Sequence, residues 1–249
     1  MKILSILPWA DWLVLVFFGL VWIGYAQFAS RWSLKRPSIL AATNRFRLRW
    51  IKVSLSRDPR VLDGIITQTL SNTPAFFSST TILIMGGLLA LMGTTDKAAE
   101  LVREIPFSQA TPILVFEFKI LVLIAIFVYA FFRFSWSMRQ YTFVALMIGA
   151  LPSPEFFAAQ PQREDDYAER VSAMTGLAAE TFNDGLRAYY FSFAVMGWFF
   201  SPMAFVLTTL LIVAILYNRE LHSACLGGGD TQLHQQSLIL LPIWVACGE

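Results

Sequence analysis

The chain has 249 residues, of which 56% are apolar and only 14% are charged. This composition excludes an ordinary soluble domain, and the charged residues fall between a few long apolar runs. Since one transmembrane helix needs roughly 20 apolar residues, the pattern predicts an all-α polytopic membrane protein. The net charge of +2 is small, so only its distribution along the chain is informative.

The first apolar run extends from Trp9 to Phe28 and predicts a transmembrane helix over about residues 9–28. Its only charged residue, Asp11, lies one turn from the start, where a carboxylate suits both the helix N-terminus and the membrane interface. A cleaved signal peptide is the alternative interpretation. The run is long for such a peptide and a poor cleavage site follows it at residues 26–29, so the transmembrane helix is favoured.

The next segment, residues 29–73, forms the first predicted loop and is strongly basic. It contains two acidic residues, Asp58 and Asp63, against nine basic residues. The basic residues are Arg31, Lys35, Arg36, Arg45, Arg47, Arg49, Lys52, Arg57 and Arg60. Loops rich in arginine and lysine lie in the cytoplasm. This loop is therefore predicted to lie on the cytoplasmic side of an inner (plasma) membrane and to bind anionic lipid headgroups there.

An amphipathic helix is predicted at the end of this loop, where Asp58-Pro59 is typical of an N-cap and a first helical residue. Apolar residues then recur at helical spacing, at Val61, Leu62, Ile65, Ile66 and Leu70. The segment is too short and too polar to cross a membrane. We expect it along the inner membrane face or against other helices there.

Thr73-Pro74 repeats the helix-start pattern and predicts a second transmembrane helix over residues 74–93. Four small residues share one face of this helix: Ser79, Gly86, Ala90 and Gly93. A small-residue face lets another helix approach closely. We expect it to pack inside the bundle, with a homodimer interface as the alternative.

A third transmembrane helix is predicted over residues 113–132, after an outer loop that carries only two basic residues. Residues 142–151 are apolar again but too few to cross. Nothing before Gly149 breaks a helix, so continuation of the third helix with a bend is favoured over a turn in the interface. It would be roughly 57 Å long, well beyond the bilayer thickness.

Prolines at 152 and 154 turn the chain back, and residues 167–182 carry an apolar stripe. We expect segments 142–151 and 167–182 to pair as an antiparallel helical hairpin at the cytoplasmic face, with its base covered by the amphipathic helix from Pro59 to Ser71. This hairpin would bury Leu146, Tyr167, Val171, Met174 and Phe182.

A fourth transmembrane helix is predicted over residues 188–217, kinked at Pro202. The fold class is therefore four transmembrane helices with a helical cytoplasmic extension. Residues 1–225 form the membrane domain, with cytoplasmic loops at 29–73 and 134–187, and the tail 226–249 receives no assigned structure. Four crossings with the first loop inside place both termini outside.

Several segments resemble a bacterial and plant membrane-protein family known as a domain of unknown function, number 599. They are Leu70 to Phe77 running into Thr80-Thr81, then Phe118-Lys119, Arg139-Gln140-Tyr141, and Ala179 to Tyr190. The similarity covers roughly residues 10–222 and leaves out the tail from Leu226. The family has no assigned activity, so the resemblance implies the membrane topology and no substrate.

A polar cluster is predicted at the inner membrane boundary, where three different helices supply Asn72, Arg139, Asn183, Asp184 and Arg187. It would act as a structural clamp or as a site for a lipid headgroup or small anion, because paired arginines suit phosphate. Glu117 and Lys119 are predicted residues of a transport path, as ionisable groups within transmembrane helices suggest function. With Asp11 they lie within two turns of the outer interface, where side chains can reach water.

Known catalytic motifs are missing from the sequence, so we expect a protein that is not an enzyme and has no catalytic residues or cofactor. His222 with Cys225 has a metal-like spacing, but no second ligand pair follows, and no metal site is predicted. We expect a scaffold or accessory subunit whose partners are membrane lipids and a homo-oligomer or larger membrane complex, without nucleic acid. A small transporter or channel for an ion or small anionic metabolite is the alternative.

Overall fold

The computed structural model describes residues 7–33, 39–95 and 112–222, which form helices without a strand. The helices are α1 (Trp9–Ser33), α2 (Ile39–Leu55), α3 (Val61–Met92), α4 (Ile113–Gly149), α5 (Pro154–Ala159), α6 (Glu164–Trp198) and α7 (Pro202–His222). A single 3-10 turn, Pro161–Arg163, precedes α6. The all-α fold class is confirmed for these residues.

Three of these helices are long and apolar enough to cross a membrane: Trp9–Ala29, Val61–Met92 and Ile113–Gly149. Pro202–Asn218 is apolar but shorter. By length and composition, these helices are consistent with a membrane-embedded protein.

The predicted fourth transmembrane helix over 188–217 is wrong as a single helix. α6 ends at Trp198, and α7 begins at Pro202. The Ser201 hydroxyl accepts a hydrogen bond from the Ala204 N–H at 3.0 Å, so Ser201 caps α7 and Pro202 occupies its first position. The Thr208 hydroxyl donates to the Ala194 carbonyl at 2.9 Å, which holds α6 and α7 side by side as a helical hairpin.

α1 and α7 run in the same direction. The ring centroids of Phe18 and Phe205 lie 5.0 Å apart, and those of Phe28 and Tyr217 lie 6.1 Å apart. The first residue of α1 and the last residue of α7 are consequently at opposite ends of the bundle. The placement of both termini outside, which rested on four crossings, stays a prediction; residues 223–249 lie outside the described residues.

α3 continues through Pro74, so the predicted helix start at Thr73-Pro74 is wrong, and Arg60 rather than Asp58 occupies the N-cap position. The buried residues of α3 are Asp63, Thr67, Pro74, Ser78 and Thr81, which share one helical face. Val61, Leu62 and Ile65 are exposed. This helix buries its polar face and exposes its apolar face, the reverse of a helix in water and the arrangement that lipid favours.

The small residues of α3 point away from the bundle. Ser79, Gly86, Ala90 and Gly93 are all exposed, and a Cβ added at Gly86 would meet nothing within 4 Å. The prediction that this face packs internally is wrong, because the polar face of α3 occupies the contact with α4. An interface with another molecule stays a prediction.

The continuous third helix and the antiparallel hairpin are both confirmed. α4 reaches Gly149, and its last turns share a buried cluster with the first turns of α6 through Val144, Ile148, Ala168 and Val171. Leu146 is 65% exposed, so its predicted burial is wrong; Val171 is buried, while Tyr167, Met174 and Phe182 are half-buried.

The hairpin is covered by α2, which sequence reasoning missed, and the segment from Pro59 to Ser71 contacts the turn of the hairpin through Arg60. Ile51 and Leu55 of α2 belong to the same buried cluster as Val144 and Val171. α2 lies in the predicted first loop, where Leu48, Ile51 and Leu55 already have the spacing of a helix face. This spacing was not recognised in the sequence because α2 is rich in basic residues and was therefore assigned to the loop.

Polar contacts fix this extension. The Arg60 guanidinium donates to the carbonyls of Leu151 and Pro152, and the buried Asp63 carboxylate accepts from Trp50 and Arg57. On the surface, Lys52 contacts Asp165 at 2.7 Å, and this hydrogen bond raises the pKa of Lys52.

Candidate functional site

A charged cluster lies where α4 and α6 cross at the level of Arg133. Asp184 accepts from Arg133 through Oδ2 and from Arg187 through Oδ1, the latter at 2.9 Å. All three side chains are partly shielded from solvent. Both carboxylate oxygens of Asp184 are therefore bonded, and the cluster carries a formal charge of +1 before its neighbours are counted.

The predicted inner-face cluster is assembled only in part. Asp184 and Arg187 come together, and Asn183 is half-buried beside them in the chain. Asn72 is exposed and accepts from Gln68, while the exposed Arg139 lies over the Phe143 ring; no described contact links either to Asp184. Arg133, the first residue after the predicted third transmembrane helix, was not among the predicted cluster residues, and its pairing with Asp184 spans 51 positions.

A cavity of about 750 Å³ opens beside this cluster, between α1 and α4 with α6 as its floor. We call it the α1–α4 cavity. Its apolar and aromatic wall includes Phe18, Trp22, Ile23, Val122, Ile126 and Tyr129. Its charged end is formed by Glu180, Asp184 and Arg187 of α6. The volume is in the range that holds a small organic ligand.

The aromatic wall is rigidly built. Trp22 stacks on Phe191 with ring centroids 5.3 Å apart and meets the edge of Tyr129 at 5.9 Å. Gly19 lines the same wall, and a Cβ added there would meet nothing within 4 Å. The aromatic rings of the wall are thus held in place by one another, and the space beside Gly19 is unfilled.

A second cavity of about 500 Å³, the α2–α6 cavity, lies along the extension. Its lining includes Asn44, Arg45, Glu169, Ser172 and Glu180. Glu180 lines both cavities, so the two adjoin at this carboxylate. In the described part of the chain, no residue forms a hydrogen bond or ion pair with the Glu180 side chain.

Glu180 could have been found from the sequence together with Asp184 and Arg187, which were predicted. Glu180, Asp184 and Arg187 are spaced by four and three residues and so lie on one face of α6. Charged residues directly before an apolar run, here residues 188–198, are a functional signal in a membrane protein.

The opposite end of the bundle contains a buried polar contact between α1, α4 and α6. The Trp198 indole donates to the Asp11 carboxylate at 2.6 Å, and the Lys119 ammonium donates to the Trp198 carbonyl at 2.8 Å. Asp11 and Lys119 are 5% and 3% exposed, so the expectation that they reach water is wrong. Glu117 is half-buried, and neither Glu117 nor Lys119 lines the two cavities described above.

Within residues 7–95 and 112–222, as far as they are described, no group of three His, Cys, Asp or Glu side chains could hold a metal ion. The metal-like pair His222 and Cys225 falls outside the described side chains.

Comparison with known proteins gives one match. The family model described as protein of unknown function, DUF599, matches residues 13–225. The chain belongs to this family. Neither a curated protein nor a solved structure matches the chain.

Membership of DUF599 confirms the resemblance seen in the sequence and adds no activity. The matched range contains both cavities and all seven helices from the fifth residue of α1 onward. The segment from Ala179 to Tyr190, on which the resemblance partly rested, supplies the three charged residues of the α1–α4 cavity.

Proposed function

We propose that this DUF599 protein is a non-enzymatic, multi-pass protein of the inner (plasma) membrane that binds an amphiphilic molecule in the α1–α4 cavity. The observation that carries the proposal is the cavity's two-part lining. Aromatic and aliphatic side chains form its wall, and Glu180, Asp184 and Arg187 form one end. An apolar chain with a polar head matches both parts at once.

The position of the charged end supports a ligand from the membrane rather than from water. Arg133, which pairs with Asp184, follows the apolar run of α4 at the predicted inner boundary of the membrane. The apolar wall then lies at the depth of the inner leaflet, and the charged end lies at its headgroups. A molecule already in that leaflet enters between α1 and α4 without crossing water.

Within this proposal the protein acts as a lipid-dependent accessory subunit or scaffold. The exposed small-residue face of α3 would contact a second copy or a partner subunit, because small side chains let helices approach closely in lipid. The basic residues before α3 would bind anionic headgroups at the membrane surface.

Transport of a small molecule is the second candidate, and one observation favours it. Glu180 lines both cavities, so a polar group could pass from the extension to the inner leaflet along α6. Flux into liposomes, measured across a panel of ions and anionic metabolites, tests this function. Flux of one solute would favour a transporter, and bound amphiphile without flux would favour the accessory subunit.

A filled cavity tests the binding proposal. Gly19→Phe places a ring in the open part of the wall, whereas Gly24→Phe, on the same helix, is a matched control. A Cβ at either position meets nothing within 4 Å, and Gly24 does not line the cavity. We expect native mass spectrometry in mild detergent to show bound amphiphile on the wild type and on Gly24→Phe. Gly19→Phe should weaken binding by at least about tenfold.

The same experiment can contradict the proposal. If Gly19→Phe retains as much amphiphile as the wild type, the α1–α4 cavity is not the binding site. Equal loss in both variants would instead point to a general disturbance of α1, and the proposal would fail.

A further inference from the structure

We propose that the α1–α4 cavity selects a zwitterionic phospholipid, whose headgroup carries a phosphate and an ammonium, over an anionic one. This inference rests on the proposed function and names the ligand class of the same site. It departs from the anionic headgroup expected for the inner-face cluster, because the structure adds Glu180 to that site.

The charge of the site favours a ligand without net charge. Two guanidinium groups, Arg133 and Arg187, meet two carboxylates, Asp184 and Glu180, so the four side chains sum to zero. An anionic headgroup would place uncompensated charge beside Glu180 in a partly desolvated site, which is costly. A zwitterion leaves the sum unchanged.

The order of groups along α6 matches the order of groups in a phospholipid. Since α6 runs from the extension toward Trp198, Arg187 lies deeper in the bundle than Glu180. The apolar wall begins deeper still, at Phe18 and Val122. From the centre of the membrane outward, the ligand would meet an apolar wall, then a guanidinium, then a carboxylate.

The separation of the two charged groups is also compatible with one headgroup. Glu180 and Arg187 are seven positions apart, a rise of roughly 10 Å along the helix axis, and both line the same cavity. A guanidinium is a good partner for phosphate and a carboxylate for ammonium. No described residue forms a hydrogen bond or ion pair with the Glu180 carboxylate, so this carboxylate is left to bind the ammonium.

Lipid competition tests the inference. Delipidated protein in detergent is mixed with equal amounts of phosphatidylethanolamine and phosphatidylglycerol, and bound lipid is counted by native mass spectrometry. We expect the wild type to favour phosphatidylethanolamine by about tenfold, and Glu180→Gln to bring the ratio close to one. Glu169→Gln is the matched control, because Glu169 lines only the α2–α6 cavity, and it should keep the wild-type ratio.

A soluble competitor separates a lipid from a free headgroup. Glycerophosphoethanolamine has the same charged groups without acyl chains, and we expect it not to displace the lipid at equal concentration. Displacement by it, a preference for phosphatidylglycerol, or a ratio unchanged by Glu180→Gln would each overturn the inference. If Gly19→Phe still abolishes binding in those cases, the amphiphile site stands and only its headgroup preference is wrong.

Discussion

At the scale of single residues, the loss of a hydrogen bond is expected to destabilise the protein most in the buried contact of Asp11, Lys119 and Trp198. Two ionisable side chains are almost fully buried there, and each is bonded to a different part of Trp198. Trp198 is itself fully buried and stacks on Phe205 with ring centroids 5.2 Å apart. A buried charge is tolerated when it is hydrogen-bonded and becomes costly once its partner is removed.

We therefore predict that Trp198→Phe destabilises the protein. The substitution keeps an aromatic ring but removes the indole N–H, leaving the Asp11 carboxylate without its donor and a small void. The combined cost is about 3 kcal/mol, or a fall in Tm of roughly 6–12 °C. Tm is measured in detergent by the loss of the monodisperse peak after heating. Trp9→Phe is the control, since Trp9 is 77% exposed, and a comparable loss there would contradict the argument.

Single residues also show how far sequence reasoning reaches. The inner-face cluster could be predicted in part, because Asp184 and Arg187 are close in sequence and share a helix face. The membership of Arg133 in this cluster could not be predicted, since its partner Asp184 lies on another helix. Asn72 does not join the cluster because it lies opposite the buried face of α3 and is exposed.

At the scale of helices, two prolines show why a local pattern does not fix a boundary. Thr73-Pro74 and Ser201-Pro202 have the same form, a hydroxyl residue before proline, yet only the second begins a helix. A proline within a helix costs about 3 kcal/mol. In α3, continuation keeps Asp63 and Thr67 on the same buried face as Ser78 and Thr81, whose hydroxyls bond to Ser135 and Tyr189. Those tertiary contacts offset the cost, and no sequence window contains them.

The close contact of α4 with α6 gives a second stability prediction. A Cβ added at Gly185 would lie 2.5–2.9 Å from three atoms of the Phe134 ring, and Phe134 is fully buried among Phe77, Phe182 and Tyr189. Because that ring has no free space, Gly185→Ala should cost about 1–3 kcal/mol and lower Tm by several degrees in the same assay.

Gly86→Ala is the matched control for Gly185→Ala. Gly86 is exposed on α3 and has nothing within 4 Å of its added Cβ, so the substitution should leave Tm unchanged or slightly higher. A loss at Gly86 equal to that at Gly185 would show that α3 packs through its small-residue face in the assayed state, as in a homodimer.

At the scale of the whole molecule, we predict five passages through the membrane, because α6 and α7 form a hairpin beside the three helices that are long and apolar enough to cross. α6 lies at the centre of the bundle, since it packs against α4, α7 and α2. Hydropathy alone does not identify α6 as a membrane-crossing helix, since Glu180, Asp184 and Arg187 lie just before its apolar run from residue 188. Those charges are tolerated because neighbouring helices shield them from lipid.

This arrangement predicts that Asn218 lies on the same side of the membrane as Arg163 and opposite Thr94. The nine basic residues before α3 then place Arg163 and Asn218 inside and Thr94 outside. Single cysteines replace Thr94, Arg163 or Asn218, all exposed, in a chain whose Cys225 and Cys247 are changed to serine. A membrane-impermeant maleimide should label Thr94→Cys in intact cells and the other two only after permeabilisation.

Labelling of Asn218→Cys together with Thr94→Cys would mean that α6 and α7 do not both cross. Labelling of Arg163→Cys and Asn218→Cys alone would keep the five passages and reverse the orientation.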